Sequence, residues 1–384
     1  MISIINKAFL IRRLTMRIVP INSVTSGSVL ANNIFSENGD ILLKKGVILT
    51  KNLIDRIVDN GVYTVYIDDG YTDHEIVDII QPEVRLKAMK AIKETFTQIE
   101  NYNKQLESQV DSFSKKIQMK SMGKYVSKLK GIAEFIVDDI SNSRQLMINL
   151  VDIKNLNNYL YEHSLSVAIL STVVGLEMRL NKHQLYNLFL GAMVHDIGKL
   201  FINKNLISQS EPYSVEEQSA VDRHTEMGYE YLKENYNFEA PARLISLQHH
   251  ECFDGTGYPK GMQGDSIHIF SRIVAVCNTY DMMVSDTPQQ AAIPVNEALE
   301  YIMGNAGSCF DFNVVEIFSR KVNPYPIGTL VELSNGEIHL VIGDNPNFPL
   351  RPIVQKVNNE LRTLENKAID LMKVTDIVIS KIHY

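Results

Sequence analysis

Histidine is unevenly distributed along this chain. Of the ten histidines, seven fall between positions 163 and 268, namely His163, His183, His195, His224, His249, His250 and His268. Most of them stand in or beside apolar segments with helical periodicity, where an imidazole without a partner is unfavourable to bury. Because shared metal ions would satisfy several buried imidazoles at once, the cluster predicts a metal site inside a helical fold.

At the centre of this cluster, His195 and Asp196 stand side by side at the end of an apolar run. Neighbouring side chains on a helix point about 100° apart. An aspartate in that place can therefore bridge two cations through its two oxygens, while the imidazole holds only one. The candidate metal ligands of the chain are His163, His195, Asp196, His224, His249, His250 and Asn278.

Hydrophobic periodicity divides the chain into parts of different secondary structure. A helical period persists from about residue 123 to residue 250 and returns after residue 270. Towards both ends, Asn-Gly pairs between apolar runs predict β-hairpins. The expected fold class is mainly α, with an all-α domain between two smaller parts. The expected division is 1–16, a disordered extension; 17–81, a small α+β regulatory module; 82–145, a coiled-coil-like helical connector; 146–323, the all-α domain; and 324–384, a β-rich extension.

The connector carries a heptad pattern. Its seam positions, spaced alternately by three and four residues, are Met89, Ile92, Phe96, Ile99, Asn103, Leu106, Val110, Phe113 and Ile117. One buried asparagine in such a seam favours a parallel two-stranded coiled coil. A homodimer through the 89–117 helix is the expected consequence, and a helix packed on its own chain is the alternative.

Charge and cysteine content restrict the partners and the compartment. The chain has 45 acidic and 38 basic residues and a net charge of −7, which disfavours binding to long nucleic acid. Its three cysteines are too few and too irregularly spaced for a disulfide framework, so a reducing compartment is expected. The sequence has neither a membrane-spanning run nor a convincing secretory signal in Met1–Leu14. We therefore expect a cytoplasmic protein.

Four segments of the all-α region resemble the HD-GYP family, a branch of the HD metal-dependent phosphohydrolases. They are Tyr159–Ser164, His195–Lys199, His224–Gly228 and His249–Pro259. Their order and spacing also agree, and the resemblance covers residues 150–320. The flanking segments Leu42–Gly46 and Asn345–Pro352 are similar to modules attached to this family, though they are less diagnostic.

The resemblance implies an HD-type helical fold and a role for each matched residue. The candidate ligands would hold two divalent metal ions, iron or manganese, with Asp196 bridging them. A hydroxide between the metals would attack the phosphorus of cyclic di-GMP, giving linear pGpG and, in some members, GMP. Lys199 would donate to a phosphate oxygen or to the hydroxide. Glu251 and Asp254 would orient imidazoles. The loop beside the substrate would be shaped by Gly255, Gly257, Tyr258 and Pro259.

The chain also departs from the family pattern at four places. Asn278 stands where the family usually has an aspartate ligand, and Thr287–Gln290 lacks the cations that often grip substrate phosphate. Cys252 replaces a common arginine. Tyr159 stands where members with a third metal carry a carboxylate, so a two-metal centre is expected. Asp281, three residues after Asn278, is expected to form hydrogen bonds rather than to ligate metal.

Three functions are compatible with these residues. An active cyclic di-GMP phosphodiesterase is the leading hypothesis. The alternative is a catalytically impaired member that binds a cyclic dinucleotide or a signalling protein, and the loss of charged residues at Asn278 and in Thr287–Gln290 favours it. The third hypothesis is a phosphohydrolase of another cyclic dinucleotide.

Overall fold

The front of the chain is a small α+β unit with its own apolar core. The computed structural model describes residues 17–35, 41–60, 62, 64–68, 79–106, 112–142, 159–235, 238–287, 291–358 and 363–382. The elements of the front unit are β1 (Arg17–Pro20), β2 (Val29–Leu30), β3 (Ile34–Phe35), β4 (Ile41–Leu43), α1 (Lys51–Asp59) and β5 (Thr64–Asp68). Strands β1, β5 and β2 form one antiparallel sheet, and β3 pairs with β4. The predicted Asn38-Gly39 turn and residues 1–16 lie outside the described residues.

The helix expected over 82–145 is in fact two helices, α2 (Pro82–Leu106) and α3 (Ser112–Asn142). They pack against each other, and Lys128 Nζ lies 2.6 Å from Glu94 Oε2. A continuous heptad pattern could not reveal this break, because periodicity continues through both helices.

The first half of the predicted coiled-coil seam is covered by the chain itself. Ile92, Phe96 and Ile99 are fully buried in the same apolar core as the helices that follow. Phe96 makes an edge-on ring contact with Tyr161, with the centroids 5.9 Å apart. These positions therefore match the alternative of a helix packed on its own chain. Side chains from Asn103 to Ile117 lie outside the described structure, so the second half of the seam stays a prediction.

Among the described residues, nine further helices build the all-α part. They are α4 (Tyr159–Glu177), α5 (Lys182–Met193), α6 (Lys204–Ile207), α7 (Val215–Asp222), α8 (His224–Asn235), α9 (Ala240–Gln248), α10 (Ile269–Met283), α11 (Val295–Gly304) and α12 (Phe312–Lys321). Helix α4 is central, and every residue from Glu162 to Gly175 is buried. It contacts α2, α3, α5, α10 and α12. The mainly α fold is confirmed, and no helix in the described residues is both long and apolar enough to cross a bilayer.

Close backbone approach brings the ends of three helices together. A β-carbon on Gly198, in the turn after α5, would lie 1.8 Å from the carbonyl oxygen of His224, so only glycine fits there. Ser246 of α9 donates its hydroxyl to the carbonyl oxygen of His195 at 2.9 Å. The histidine-bearing ends of α5 and α9 and the start of α8 therefore meet at one place.

The last part of the chain is a five-stranded antiparallel sheet. Its strands are β6 (Leu330–Leu333), β7 (Ile338–Gly343), β8 (Ile353–Asn358), β9 (Thr363–Asp370) and β10 (Ile379–Ile382), in the order β10-β6-β7-β8-β9. The predicted turn at Asn335-Gly336 is confirmed, with Gly336 at a φ of +81°. Strands β9 and β10 were not predicted, because β9 is polar and β10 carries little apolar alternation.

Candidate metal centre

Each candidate histidine lies at a helix end or inside the central helix. His163 comes from the second turn of α4, His195 follows α5, His224 opens α8, and His249 and His250 follow α9 directly. All of these side chains are fully buried except that of His250, which is half-buried. Five imidazoles thus converge from four helices, as the sequence predicts.

The carboxylate of Asp196 lies between two groups of histidines. Its Oδ2 atom is 3.5 Å from His195 Nε2 and 3.8 Å from His163 Nε2. Its Oδ1 atom is 3.4 Å from His224 Nε2 and 3.7 Å from His249 Nε2. The potential ligand atoms form two groups, and within each group they all lie within 4.8 Å of one another. One group comprises His163, His195 and Asp196, and the other comprises Asp196, His224, His249 and His250. Asp196 alone belongs to both groups, which is the arrangement that a bridging ligand requires.

Hydrogen bonds on the outer ring nitrogens turn the inner nitrogens towards Asp196. The Nδ1 atom of His195 lies 2.7 Å from the carbonyl oxygen of Ala192, and that of His224 lies 2.8 Å from the carbonyl oxygen of Val221. His249 Nδ1 lies 3.0 Å from two carbonyl oxygens of its own helix. A carbonyl can only accept, so each Nδ1 carries the proton and each Nε2 has a free lone pair, the form that binds metal.

The fit to metal can be tested on buried atoms without partners. Within the described residues, His163 Nε2, His195 Nε2 and Asp196 Oδ1 are buried and accept or donate no hydrogen bond. Leaving such polar atoms unpaired is unfavourable. They face one another across a few ångströms, and imidazole and carboxylate are good ligands for divalent transition metals, so the donor set fits two such ions.

Electrostatics keep these residues in the protonation states that bind cations. Burial lowers the pKa of His195 and of His224 to about 3, so both imidazoles are neutral at neutral pH. Burial opposes ionisation of Asp196, yet Lys199 and then His195 hold the pKa of its carboxyl group well below the usual value. The ammonium of Lys199 lies 2.6 Å from Asp196 Oδ2.

Helix α10 supplies two polar residues to the site, one turn apart. Asp281 Oδ2 lies 2.7 Å from His163 Nδ1, so this carboxylate orients the imidazole. That result agrees with the expectation that Asp281 forms hydrogen bonds. Asn278 is buried, and in the described part of the chain its Oδ1 atom has no hydrogen-bond partner.

Tyr159 packs against the face of the His163 ring, whereas Asp281 contacts its Nδ1 atom. The two rings are stacked, with centroids 5.3 Å apart and planes 14° apart. Burial raises the pKa of the Tyr159 phenol, and the charges of Asp281 and Asp196 raise it further. A neutral phenol therefore stands at the position where the family resemblance implies a carboxylate in members with a third metal.

The loop after His250 is held by its own contacts. The Glu251 carboxylate accepts hydrogen bonds from the backbone N–H groups of Lys260 and Met262, both at 2.8 Å. The expectation that Glu251 orients an imidazole is wrong, because both of its oxygens close this loop. Asp254 is also not at an imidazole, since it is exposed and binds Thr256. The sequence around these two residues contains no pattern that shows whether a carboxylate contacts an imidazole or another group.

The glycines of this loop are required by its geometry. Gly255 has a φ of +87°, and a β-carbon on Gly257 would lie 2.2 Å from the backbone nitrogen of Cys252. The Tyr258 ring stacks on His250, and Pro259 follows across a cis peptide bond. The predicted loop residues therefore lie against one of the two groups of histidines.

Comparison with known proteins finds matches for two regions of the chain. Residues 145–314 match the HD domain family, and residues 330–383 match the KOW domain associated with HD domain. A cyclic di-GMP phosphodiesterase of Pseudomonas aeruginosa is 30% identical over 227 residues, which cover 58% of this chain and 55% of that protein. Residues 145–314 are an HD domain of the HD-GYP family.

Two further comparisons concern specificity and fold. A 3′3′-cGAMP-specific phosphodiesterase of Vibrio cholerae is 29% identical over 191 residues, 49% of this chain and 43% of that protein. The structure of an HDG"Y"P protein from Bdellovibrio bacteriovorus, at 17% identity, superposes with a TM-score of 0.50 and covers 79% of this chain and 98% of its own, which shows a common fold. The chain spans about half the length of the curated relatives it matches.

A disulfide bond joins the loop of the HD-GYP domain to the segment before α12. Cys252 is bonded to Cys309, 57 positions later. Beside it, the N–H of Phe253 donates to the carbonyl of Cys309 at 2.8 Å, and that of Asp254 donates to the carbonyl of Ser308 at 2.9 Å. The sequence predicted neither this pair nor any other disulfide, since the cysteines are too few for a disulfide framework and a reducing compartment was expected. Spacing along the chain gave no signal, because only the fold brings the two residues together.

The other histidines of this region, and the residues at which the chain departs from the family pattern after α10, lie away from the cluster or outside the described residues. His183 is exposed and pairs with Glu239, as expected of a surface residue. His268 accepts a hydrogen bond from the N–H of Phe270 at the start of α10. Thr287 is described, whereas Gln290 lies outside the described residues.

Proposed function

We propose that this chain is a metal-dependent phosphodiesterase that hydrolyses cyclic di-GMP to linear pGpG, with GMP as the product of any further step. The observation that carries the proposal is the position of Asp196, whose two carboxylate oxygens face two separate groups of buried Nε2 atoms. The names of the relatives support the substrate, since the Pseudomonas protein is a cyclic di-GMP phosphodiesterase.

Two divalent ions, iron or manganese, would be held in this arrangement. His163, His195 and Asn278 would bind one ion, and His224, His249 and His250 would bind the other, with Asp196 shared. When bound, such a pair activates water for attack on phosphorus and neutralises the charge that develops on the phosphate.

Lys199 and the loop would act on the substrate. An ammonium has three N–H donors, and Lys199 uses one on Asp196, so two are left for a phosphate oxygen. The loop residues Gly255, Gly257, Tyr258 and Pro259 would form the edge of the site next to His250. The net charge of −7 does not oppose binding of a small dianion, because the local charge is set by two cations and Lys199.

The direct test is turnover by metal-loaded protein. The full chain loaded with Mn²⁺ or Fe²⁺ is incubated with cyclic di-GMP, and the products are separated by chromatography. We expect pGpG to form. The double variant His195→Ala and Asp196→Ala should lose both bound metal and activity, whereas His183→Ala, an exposed histidine of the same domain, should keep both. Full metal content in the double variant would overturn the site assignment.

A second candidate is binding without turnover, and the ligand set favours it. Among the seven proposed ligands, Asp196 is the only carboxylate, and the amide of Asn278 brings no charge. Retained binding of cyclic di-GMP by the Mn²⁺-loaded protein without any product would identify a signalling module. The same assay with 3′3′-cGAMP addresses the third hypothesis, which the Vibrio relative supports. Cleavage of that dinucleotide alone would reassign the substrate.

The protein would act in signalling and would be located in the cytoplasm. The front unit would act as a regulatory module and the last sheet as an extension of the HD-GYP domain. A homodimer, if formed by the 89–117 segment, would have to use seam residues after Ile99, since those up to Ile99 pack within the chain.

A further inference from the structure

The five clustered histidines differ in what fixes their rings. His195, His224 and His249 each hold Nδ1 on a carbonyl oxygen of the preceding turn, and His163 holds it on Asp281. His250 has no ring hydrogen bond to any described residue. Hydrogen bonds on the outer nitrogen normally set the orientation of a metal-binding imidazole. His250 therefore needs another means of orientation.

Tyr258 provides a flat surface for this ring. The two rings are parallel within 15°, with centroids 4.7 Å apart. The backbone N–H of Tyr258 also donates to the carbonyl oxygen of His250 at 3.1 Å. One residue thus contacts both the ring and the backbone of this histidine.

The far end of the Tyr258 side chain lies near a carboxylate. Burial and then the charge of Asp222 raise the pKa of the Tyr258 phenol. Asp222 is the last residue of α7, two positions before His224. Tyr258 therefore links the loop after His250 to the segment that carries another candidate ligand of the same group.

The base of the loop is rigid as well. Glu251 binds two backbone N–H groups across it, and the Cys252–Cys309 bond ties it to the segment before α12. A ring mounted on such a loop loses little further freedom when it packs against the imidazole.

We propose that Tyr258 is a positioning residue, which holds the His250 imidazole in its ligating orientation by stacking and takes the place of the ring hydrogen bond that the other four histidines have. This inference rests on the proposed metal centre. It assigns Tyr258 to one of the two groups, the one formed by Asp196, His224, His249 and His250. The opposite group should not depend on it.

The decisive measurement is metal affinity in two backgrounds that each leave one group intact. In His163→Ala, Mn²⁺ bound by Asp196, His224, His249 and His250 is titrated by the EPR signal of the free ion. Adding Tyr258→Leu should weaken this affinity roughly ten- to a hundredfold, the usual effect of losing a residue that orients a ligand. In His224→Ala, where the other group remains, Tyr258→Leu should change the affinity less than about threefold.

Conservative variants separate positioning from general packing. Tyr258→Phe keeps the stack and loses only the hydroxyl, so it should retain most of the affinity that Tyr258→Leu loses. The matched control is Tyr159→Leu, because Tyr159 stacks on His163 in the same way while Asp281 anchors that ring. We expect little change from it in the His224→Ala background.

The outcomes are distinguishable from those of the proposed function. Equal loss in both backgrounds, or no loss in either, would overturn the inference, and Tyr258→Met, which also removes the aromatic stack, replaces Tyr258→Leu if that variant does not fold. Wild-type protein that binds two equivalents of Mn²⁺ but cleaves no cyclic di-GMP would instead contradict the phosphodiesterase activity and leave the role of Tyr258 intact.

Discussion

Asp281 Oδ2 lies 2.7 Å from Nδ1 of His163, and both side chains are almost completely buried. This contact holds the only clustered histidine whose ring is anchored by a carboxylate instead of by its own helix. A carboxylate in this position fixes the tautomer and the orientation of the imidazole.

Removal of this carboxylate should selectively weaken the binding of one of the two metal ions. In the His224→Ala background, Asp281→Ala should lower Mn²⁺ affinity roughly ten- to a hundredfold, because the His163 ring loses its orientation. Asp281→Asn keeps an acceptor oxygen and should have a smaller effect. Equilibrium dialysis with metal analysis measures both. Identical affinities for Asp281→Ala and its parent would show that α4 alone orients the ring.

A negative charge at position 278 should strengthen binding of the same metal ion. The Oδ1 atom of Asn278 is buried without a partner, and a carboxylate oxygen there would add a negative ligand. We expect Asn278→Asp to raise Mn²⁺ affinity in the His224→Ala background and to increase turnover of cyclic di-GMP in an otherwise unchanged chain. No gain in either quantity would mean that the amide is already an adequate ligand.

The close approach of Gly198 to His224 gives a stability prediction. A β-carbon at Gly198 would overlap the His224 carbonyl oxygen, so Gly198→Ala should force the two backbones apart and cost about 2–4 kcal/mol of unfolding free energy. Gly131→Ala is the matched control, since that glycine lies at an exposed position of α3 with open space around it, and the substitution should add up to about 1 kcal/mol of stability. Urea denaturation of the full chain measures both. A similar effect of the two substitutions would contradict the backbone overlap.

Sequence patterns predicted the parts of this molecule that depend on local periodicity and on residue types. The all-α part, the hairpin at Gly336 and the convergence of His163, His195, His224, His249 and His250 follow from apolar spacing, turn residues and a matching family pattern. The break between α2 and α3 left no trace, since both helices continue the same apolar spacing.

Contacts between distant residues account for what the sequence did not reveal. Asp281 reaches His163 across 118 positions, and Cys309 reaches Cys252 across 57. Glu251 is next to a candidate ligand in sequence but binds backbone N–H groups further along its own loop. Which of several nearby carboxylates faces an imidazole is decided by helix packing, and a single sequence does not record it.

The disulfide should stabilise the HD-GYP domain in oxidising conditions. Cys309→Ser removes the cross-link between the loop and the segment before α12, and we expect it to lower the unfolding free energy by roughly 2–4 kcal/mol. A reductant should lower the stability of the wild type by a similar amount and leave the variant unchanged. Cys277→Ser provides the control for loss of a thiol, since Cys277 is free and buried. Equal sensitivity of wild type and Cys309→Ser to reductant would contradict the cross-link.

Acidification should destabilise the C-terminal sheet through His339. This residue is fully buried in β7, and burial lowers the pKa of its imidazole, while Glu337 partly opposes the shift. The neutral ring is favoured in the folded state, and the unfolded chain takes up a proton below about pH 6.5. The unfolded state therefore binds more protons as the pH falls, and stability declines in the window below that value.

His339→Phe removes the titrating group and keeps a ring in the core, so the comparison isolates this contribution. We expect the melting temperature of the wild type to fall more steeply than that of His339→Phe between pH 7.5 and 5.5, values chosen to span the roughly 6.5 midpoint of an unperturbed histidine. Differential scanning calorimetry of metal-free protein keeps metal release out of the comparison, and other titrating groups cancel because both chains share them. Parallel pH profiles would show that the His339 ring gains its proton as easily in the folded sheet as in the unfolded chain.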